Sequence, residues 1–299
     1  MQIVFFGTPD FAVPSLDRIY KSEHNIAAVV TAPDKERGRG RKVSCTPVKQ
    51  FAIDNNIKCL QPESLKNSGF ISELKELKPD VFVVIAFRIL PSEVYTIPQK
   101  GSFNLHGSLL PKYRGAAPIQ WALINGEKLT GVTTFFLQDK VDTGNIIIKE
   151  SVGIGAEDNL GTLHDKMSLL GADVIMKTLD LIESGNVEVK EQDDTIATPA
   201  PKITKELCEI NWDNSAENIH NLIRGLSPFP AAFFEYTGKR YKIYTSKYST
   251  EEKQEIGKIT ADKKHIFVGC KTGVLEILEI QPEGRKKMSA EEFLRGYQF

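Results

Sequence analysis

Short apolar runs alternate with amphipathic stretches up to about residue 185. Residues 2–6 and 26–31 are strand-like runs. Residues 81–86 are apolar almost throughout, as a strand covered on both faces of a parallel sheet requires. Residues 103–106 and 132–137 predict further strands, with a helix over 119–124 between them. Other helices are expected behind Phe11, Leu16 and Ile19, from Pro47 with Thr46 as its N-cap, over 63–77, and over 160–183 up to Gly185. This alternation predicts an α/β domain with a central, mostly parallel sheet. Beyond residue 185 the texture changes. Residues 191–201 are polar, contain two prolines and read as a connector. Ile219, Leu222, Ile223 and Leu226 follow at helical spacing. Strand patterns then dominate: 233–236 and 241–244 flank Thr237-Gly238, and 256–260, 265–270 and 274–280 come at short intervals. That is the pattern of a small OB-like β-barrel. The expected division is a domain over 1–188, a linker over 189–204 and a β-rich domain over 205–299.

Bulk properties narrow the classes. The 299 residues carry a net charge of −1, so no global field draws the chain to nucleic acid or membrane, and a polyanion must be met by a local patch. No apolar run approaches the roughly 20 residues of a membrane helix, and the first residues enter a strand without a signal-peptide layout. A cytoplasmic monomer is the expectation. Cys45, Cys59, Cys208 and Cys270 are widely spaced and read as free thiols. His24, His164, His220 and His265 lack ligand spacing, so no metal is expected.

The chemistry concentrates in Asn104-Leu-His-Gly-Ser-Leu-Leu-Pro-Lys-Tyr-Arg-Gly-Ala-Ala-Pro118. Residues two apart on a strand share a face, so Asn104 and His106 point together. Asp142, in Val141-Asp-Thr-Gly144, follows another expected strand, and Gly144 permits a tight loop. An amide, an imidazole and a carboxylate can stabilise an oxyanion and move a proton, as acyl transfer to an amine requires. Residues 35–42 form a glycine-punctuated basic loop with Lys35, Arg37, Arg39, Arg41 and Lys42 against Glu36, suited to phosphate contacts. Arg285, Lys286 and Lys287 form a second basic cluster. Arg114 is suited to a phosphate or to an internal carboxylate. Residues 7–10 form either a plain strand-to-helix turn or part of the acceptor entry.

These segments, with Pro33-Asp34, Gln61-Pro62 and the tail 281–290, resemble the folate-dependent formyltransferases. Over essentially the whole chain the resemblance is to the branch acting on methionyl-tRNA. It implies a Rossmann-like formyltransferase domain followed by the OB-like module. The implied donor is 10-formyltetrahydrofolate, and the implied acceptor is the α-amine of methionyl initiator tRNA. Carried over, Asn104, His106 and Asp142 become the catalytic set. Phe87, Arg88, Ile89 and Leu90, Ser108, Leu109, Leu110 and Pro111, and Gln138 and Val141 become the folate-binding residues. Arg37, Arg39, Arg41, Lys42, Arg285, Lys286 and Lys287 become tRNA contacts, with Arg39 matching an arginine that probes the acceptor stem. Ala86-Phe-Arg-Ile-Leu-Pro91 is one residue shorter than the usual Ala-Tyr-Gly-x-Ile-Leu-Pro of that branch. It is closer to the Arg-Ile-Leu of glycinamide ribonucleotide formyltransferases. A formyltransferase for a small amine, a formyl-folate hydrolase and a non-catalytic RNA-binding protein stay open as alternatives.

Overall fold

The computed structural model describes residues 1–37 and 42–297, with side chains for all of these except 35–37 and 42–44. Strands run β1 Gln2–Gly7, β2 Asn25–Val30, β3 Lys35–Arg37, β4 Lys42–Ser44, β5 Cys59–Leu60, β6 Val81–Ile85, β7 Ser102–His106, β8 Leu129–Phe136, β9 Ile146–Gly153, β10 Ala232–Tyr236, β11 Lys239–Ser249, β12 Ile259–Ala261, β13 Ile266–Gly269, β14 Val274–Pro282 and β15 Met288–Ser289. Helices are α1 Val13–Tyr20, α2 Pro47–Asp54, α3 Ser68–Glu76, α4 Ser92–Tyr95, α5 Pro118–Ile124, α6 Leu160–Ser184, α7 Ala216–Leu226 and α8 Ala290–Gly296. Residues 1–115, 131–152 and 164–199 form one compact unit, and 116–130, 153–163 and 200–299 form another. The boundaries drawn from sequence cut the chain at one linker, whereas the units interleave. The polar stretch through Pro199 belongs to the first unit.

The first unit is built on a seven-stranded sheet of order β5-β2-β1-β6-β7-β8-β9. Its pairs from β5 to β7 are parallel, and β8 runs antiparallel to β7. Every residue of β6 is buried, because helices and loops cover both faces of a central parallel strand. Thr46 caps α2 by accepting from the Lys49 amide at 3.0 Å. The helix expected from residue 63 begins at Ser68, because Asn67 caps it by accepting from the Phe70 amide at 3.0 Å. Edge strand β9 was not anticipated: after its three isoleucines, Lys149, Ser151 and Gly153 are exposed and give it no apolar alternation.

The second unit carries a six-stranded antiparallel sheet, β10-β11-β14-β13-β12 with β15 on β14, the small OB-like module expected. Its core gathers Ile219, Ile223 and Leu226 of α7 with Phe233, Phe234, Ile243, Ile277 and Phe293. Gly225 is needed where α7 meets α5, since a Cβ there would lie 2.7 Å from Ile124 Cγ1 and 3.1 Å from the Gln120 carbonyl oxygen. Buried Arg224 spends its guanidinium on backbone, donating through Nη1 to the carbonyls of Gly155 and Ala156, each at 3.0 Å. Segment 153–163 is thus fastened to α7 by a charge-assisted donor.

Candidate active site

Asn104 and His106 sit on one face of β7, between β6 and β8. Asn104 is half-buried, and among the described residues its side-chain amide meets no hydrogen-bond partner. His106 is 6% exposed and its Nε2 lies 2.8 Å from the Tyr113 carbonyl oxygen. A carbonyl only accepts, so Nε2 carries the hydrogen and donates. Nδ1 then faces Asp142 Oδ2 at 3.8 Å, an ion-pair separation once Nδ1 is protonated. Asp142 is 9% exposed, and its Oδ2 accepts from the Gly115 amide at 2.8 Å.

The path of the chain to Asp142 is indirect. Phe136 pairs with Phe103, so β8 ends beside the start of β7, and residues 138–144 must carry Asp142 back toward His106 at the other end. The turn-back places Asp142 at φ +55°, a left-handed conformation that Asp tolerates better than most residues. Gln138 Nε2 donates to Thr143 Oγ1 at 2.7 Å, and Thr143 Oγ1 to the Lys140 carbonyl at 3.0 Å, bracing the loop internally. One anchor, Gln192, went unseen in the sequence. Gln192 Nε2 donates to the carbonyls of Asp142 (2.9 Å) and Gly144 (2.8 Å), and Arg114 holds both Gln192 and Asp194. The open choice at Arg114 therefore falls to an internal carboxylate, Asp194 Oδ1 at 2.7 Å.

The segments expected to hold the donor come together around Leu137. That side chain packs against the cluster containing Leu90 and Phe87 and against the one containing Leu110. Arg88 is not a loose surface cation. Its Nη1 and Nη2 donate to the carbonyls of Glu63 (2.9 Å) and Pro62 (2.7 Å), pinning residues 86–90 onto the Gln61-Pro62 segment. Ser108 Oγ donates to the Lys112 carbonyl at 2.6 Å, and Thr133 Oγ1 donates to the Ser108 carbonyl while accepting from the Leu110 amide. Leu109 is half-buried and Pro111 buried beside them. Ile89 (72% exposed) and Val141 (51%) present apolar side chains to solvent. Gly7 has a packing reason, since a Cβ would fall 2.8 Å from the Phe5 ring and 2.9 Å from Ala12 Cβ.

Of the expected tRNA contacts, Arg39 and Arg41 lie outside the described residues, as do the side chains of Arg37 and Lys42. The backbone of Lys35–Arg37 pairs with that of Lys42–Ser44 as the antiparallel strands β3 and β4, within a stretch expected to be a loop. Asp34 anchors its base through an ion pair with Lys49 and by accepting from Gln61 Nε2 at 2.9 Å. Those two partners hold its carboxyl below the usual carboxylate range. In the second unit Arg285, Lys286 and Lys287 are exposed, and Lys287 pairs with Glu279 at 2.9 Å. Sequence reasoning missed another basic surface there. Lys202, Lys205, Arg240 and Lys242 border a cavity of about 460 Å³ that also touches Phe229, whose ring is 77% exposed. Among the described residues no cluster of His, Cys, Asp and Glu could hold a metal ion, and no helix is long and apolar enough to cross a membrane. Burial pushes the Cys270 thiol up to about 11.

The family model described as formyl transferase matches residues 1–179, and the one described as formyl transferase, C-terminal domain, matches residues 202–298. The chain belongs to the formyl transferase family. It is an enzyme of formyl transfer. The methionyl-tRNA formyltransferase of Caldanaerobacter subterraneus subsp. tengcongensis is 49% identical over 300 residues, covering 99% of this chain and 97% of the relative. That of Flavobacterium johnsoniae is 46% identical, covering 100% and 97%. Among solved structures, an N-formyltransferase from Helicobacter canadensis in complex with folinic acid and dTDP-3-aminofucose superposes with a TM-score of 0.71 at 23% identity, over 96% of this chain and 99% of that one. HypX from Aquifex aeolicus in complex with tetrahydrofolic acid gives 0.67 at 18%, over 99% of this chain and 48% of that one. At those identities the two structures share the fold alone.

Proposed function

We propose that this enzyme transfers the formyl group of 10-formyltetrahydrofolate to the α-amine of methionyl initiator tRNA. The observation that carries the reading is the near-full-length likeness, through both family modules, to relatives that by name act on methionyl-tRNA. The neutral amine attacks the formyl carbon, and the carbonyl oxygen gains negative charge. The unpartnered Asn104 amide donates to it. With Nε2 given to the Tyr113 carbonyl, His106 takes up the amine proton at Nδ1, and Asp142 at 3.8 Å favours the resulting imidazolium. The oxyanion collapses, the bond from the formyl carbon to N10 breaks, and N10 takes the proton held by the His106 imidazolium, giving tetrahydrofolate, N-formylmethionyl-tRNA and neutral His106. The donor lies against Phe87, Ile89 and Leu90, Ser108 to Pro111, and the Gln138 to Val141 loop.

The acceptor meets the basic segment 35–42, where Arg39 senses the acceptor end, and the exposed cations Arg285 and Lys286. The cavity beside Phe229 supports RNA contact, because an exposed ring with lysines around it offers stacking and phosphate pairing together. We place the enzyme in the cytoplasm, acting as a monomer without a metal. Formyl transfer measured in parallel with charged initiator Met-tRNA, charged elongator Met-tRNA and no acceptor tests the reading. Transfer to the initiator is expected. Donor turnover without acceptor would identify a hydrolase, and silence in all three would reject the acceptor. His106→Ala is expected to remove turnover while leaving tRNA affinity largely intact.

A further inference from the structure

The stretch that separates the two family modules in sequence is tied into the active site. Gln192, 8% exposed, donates from Nε2 to the carbonyls of Asp142 and Gly144, and its Oε1 accepts from Arg114 Nε at 3.1 Å and Nη2 at 2.8 Å. A guanidinium has only donors, so it dictates the amide's orientation, with oxygen toward Arg114 and the NH2 group toward the loop. The neighbours of Arg114 hold the other side. The Tyr113 carbonyl accepts from His106 Nε2, and the Gly115 amide donates to Asp142 Oδ2. Residues 113–115 are themselves held by Thr198, whose Oγ1 accepts from the Tyr113 amide at 2.9 Å and whose carbonyl accepts from the Arg114 amide at 2.9 Å. Both members of the His106–Asp142 pair thus rest on residues 192–198.

We propose that Gln192 is a positioning residue for Asp142, oriented by Arg114, so that residues 192–198 set the His106–Asp142 geometry. This rests on the reading of Asp142 as the partner of the proton-bearing imidazole. Gln192→Glu keeps the volume and the Arg114 partner but replaces two donated hydrogen bonds by oxygen facing oxygen. Loop displacements near 1 Å typically cost about 10²-fold, so kcat is expected to fall by about 10- to 100-fold with KM for donor and acceptor little changed. The pH profile of kcat should shift as well, which a role in folding alone would not produce. Combined with Asp142→Asn, Gln192→Glu should cause no further loss, because the two act through one group. Arg114→Lys, which keeps the charge but loses the fork, should reproduce a smaller loss if Gln192→Glu folds poorly. Wild-type kcat in both Gln192→Glu and Arg114→Lys, or additive losses in the double variant, would overturn the proposal. Wild-type kcat in Asp142→Asn alone would overturn the reading of the site beneath it.

Discussion

Replacing Gly144 with alanine asks whether the position of Asp142, beyond its presence, sets the rate. A Cβ at residue 144 would lie 1.7 Å from the Phe136 carbonyl oxygen and 3.1 Å from the Phe135 ring. Carbon and oxygen settle near 3.3 Å, so the chain must give by about 1.6 Å. The obstacle cannot yield easily, because it is backbone. Phe136 pairs with Phe103 inside the sheet, and its amide donates to the Asn145 carbonyl at 3.0 Å. The φ of Gly144 lies outside the left-handed region, so the contact alone excludes a side chain. What moves is the 138–144 loop, and Asp142 moves with it. A shift above 1 Å predicts a fall in kcat of about 10²-fold or more. Overpacking predicts a stability loss of about 1–3 kcal/mol. Single-turnover formyl transfer to charged initiator tRNA, with thermal unfolding in parallel, measures both. A folded Gly144→Ala enzyme with wild-type kcat would refute the positional reasoning.

Three other outcomes are expected. Arg88→Ala frees residues 86–90 from the carbonyls of Pro62 and Glu63 and should raise the donor KM about tenfold, the factor for about 1.4 kcal/mol, with the tRNA KM unchanged in steady-state assays. His220 is held below the ordinary histidine range by burial and then by Arg224, with Glu157 and Glu217 opposing, so the unfolded chain takes up a proton that the native fold refuses. The associated stability is therefore complete above about pH 6.5, the ordinary histidine value, and is lost as pH falls through the native pKa. Thermal midpoints from about pH 7.5 to about pH 5 should fall less steeply for His220→Gln. Phe229→Ala should weaken tRNA binding about tenfold, within the range of one lost base stack, in a titration at fixed salt, and leave donor binding unchanged.

Much of this was legible in the sequence because strand periodicity reports faces directly. Asn104 and His106 share a face of β7 as their spacing requires, and the apolar run at β6 marked the centre of the sheet. Gly144 was read as permitting a tight loop, and the fold adds a reason that reading did not contain, the closeness of the Phe136 carbonyl oxygen. Other features left no periodic trace. Gln192 sits in a polar, proline-bearing stretch of connector texture, and nothing local shows that two backbone carbonyls will bury its amide. Arg88 is exposed, yet its anchoring was not legible, because its partners, the carbonyls of Pro62 and Glu63, are remote in sequence and carry no side-chain signal. The basic rim of the Phe229 cavity is drawn from the connector and from β11, so no window of sequence contains it.

The interleaving of the units has a consequence for a chain that emerges from the ribosome in order. The path passes between units at 115/116, 130/131, 152/153, 163/164 and 199/200. Once residue 199 is free, every segment of the first unit exists, while 116–130 and 153–163 still lack the core they belong to. Ile124, at the end of α5, packs against the core that α7 and the strands after it build, so it stays wet until they are made. Such surface makes a nascent chain prone to aggregation. A fragment cut between the two family modules would keep that surface permanently, so the hundred or so final residues serve as an intramolecular cover for loops translated long before them.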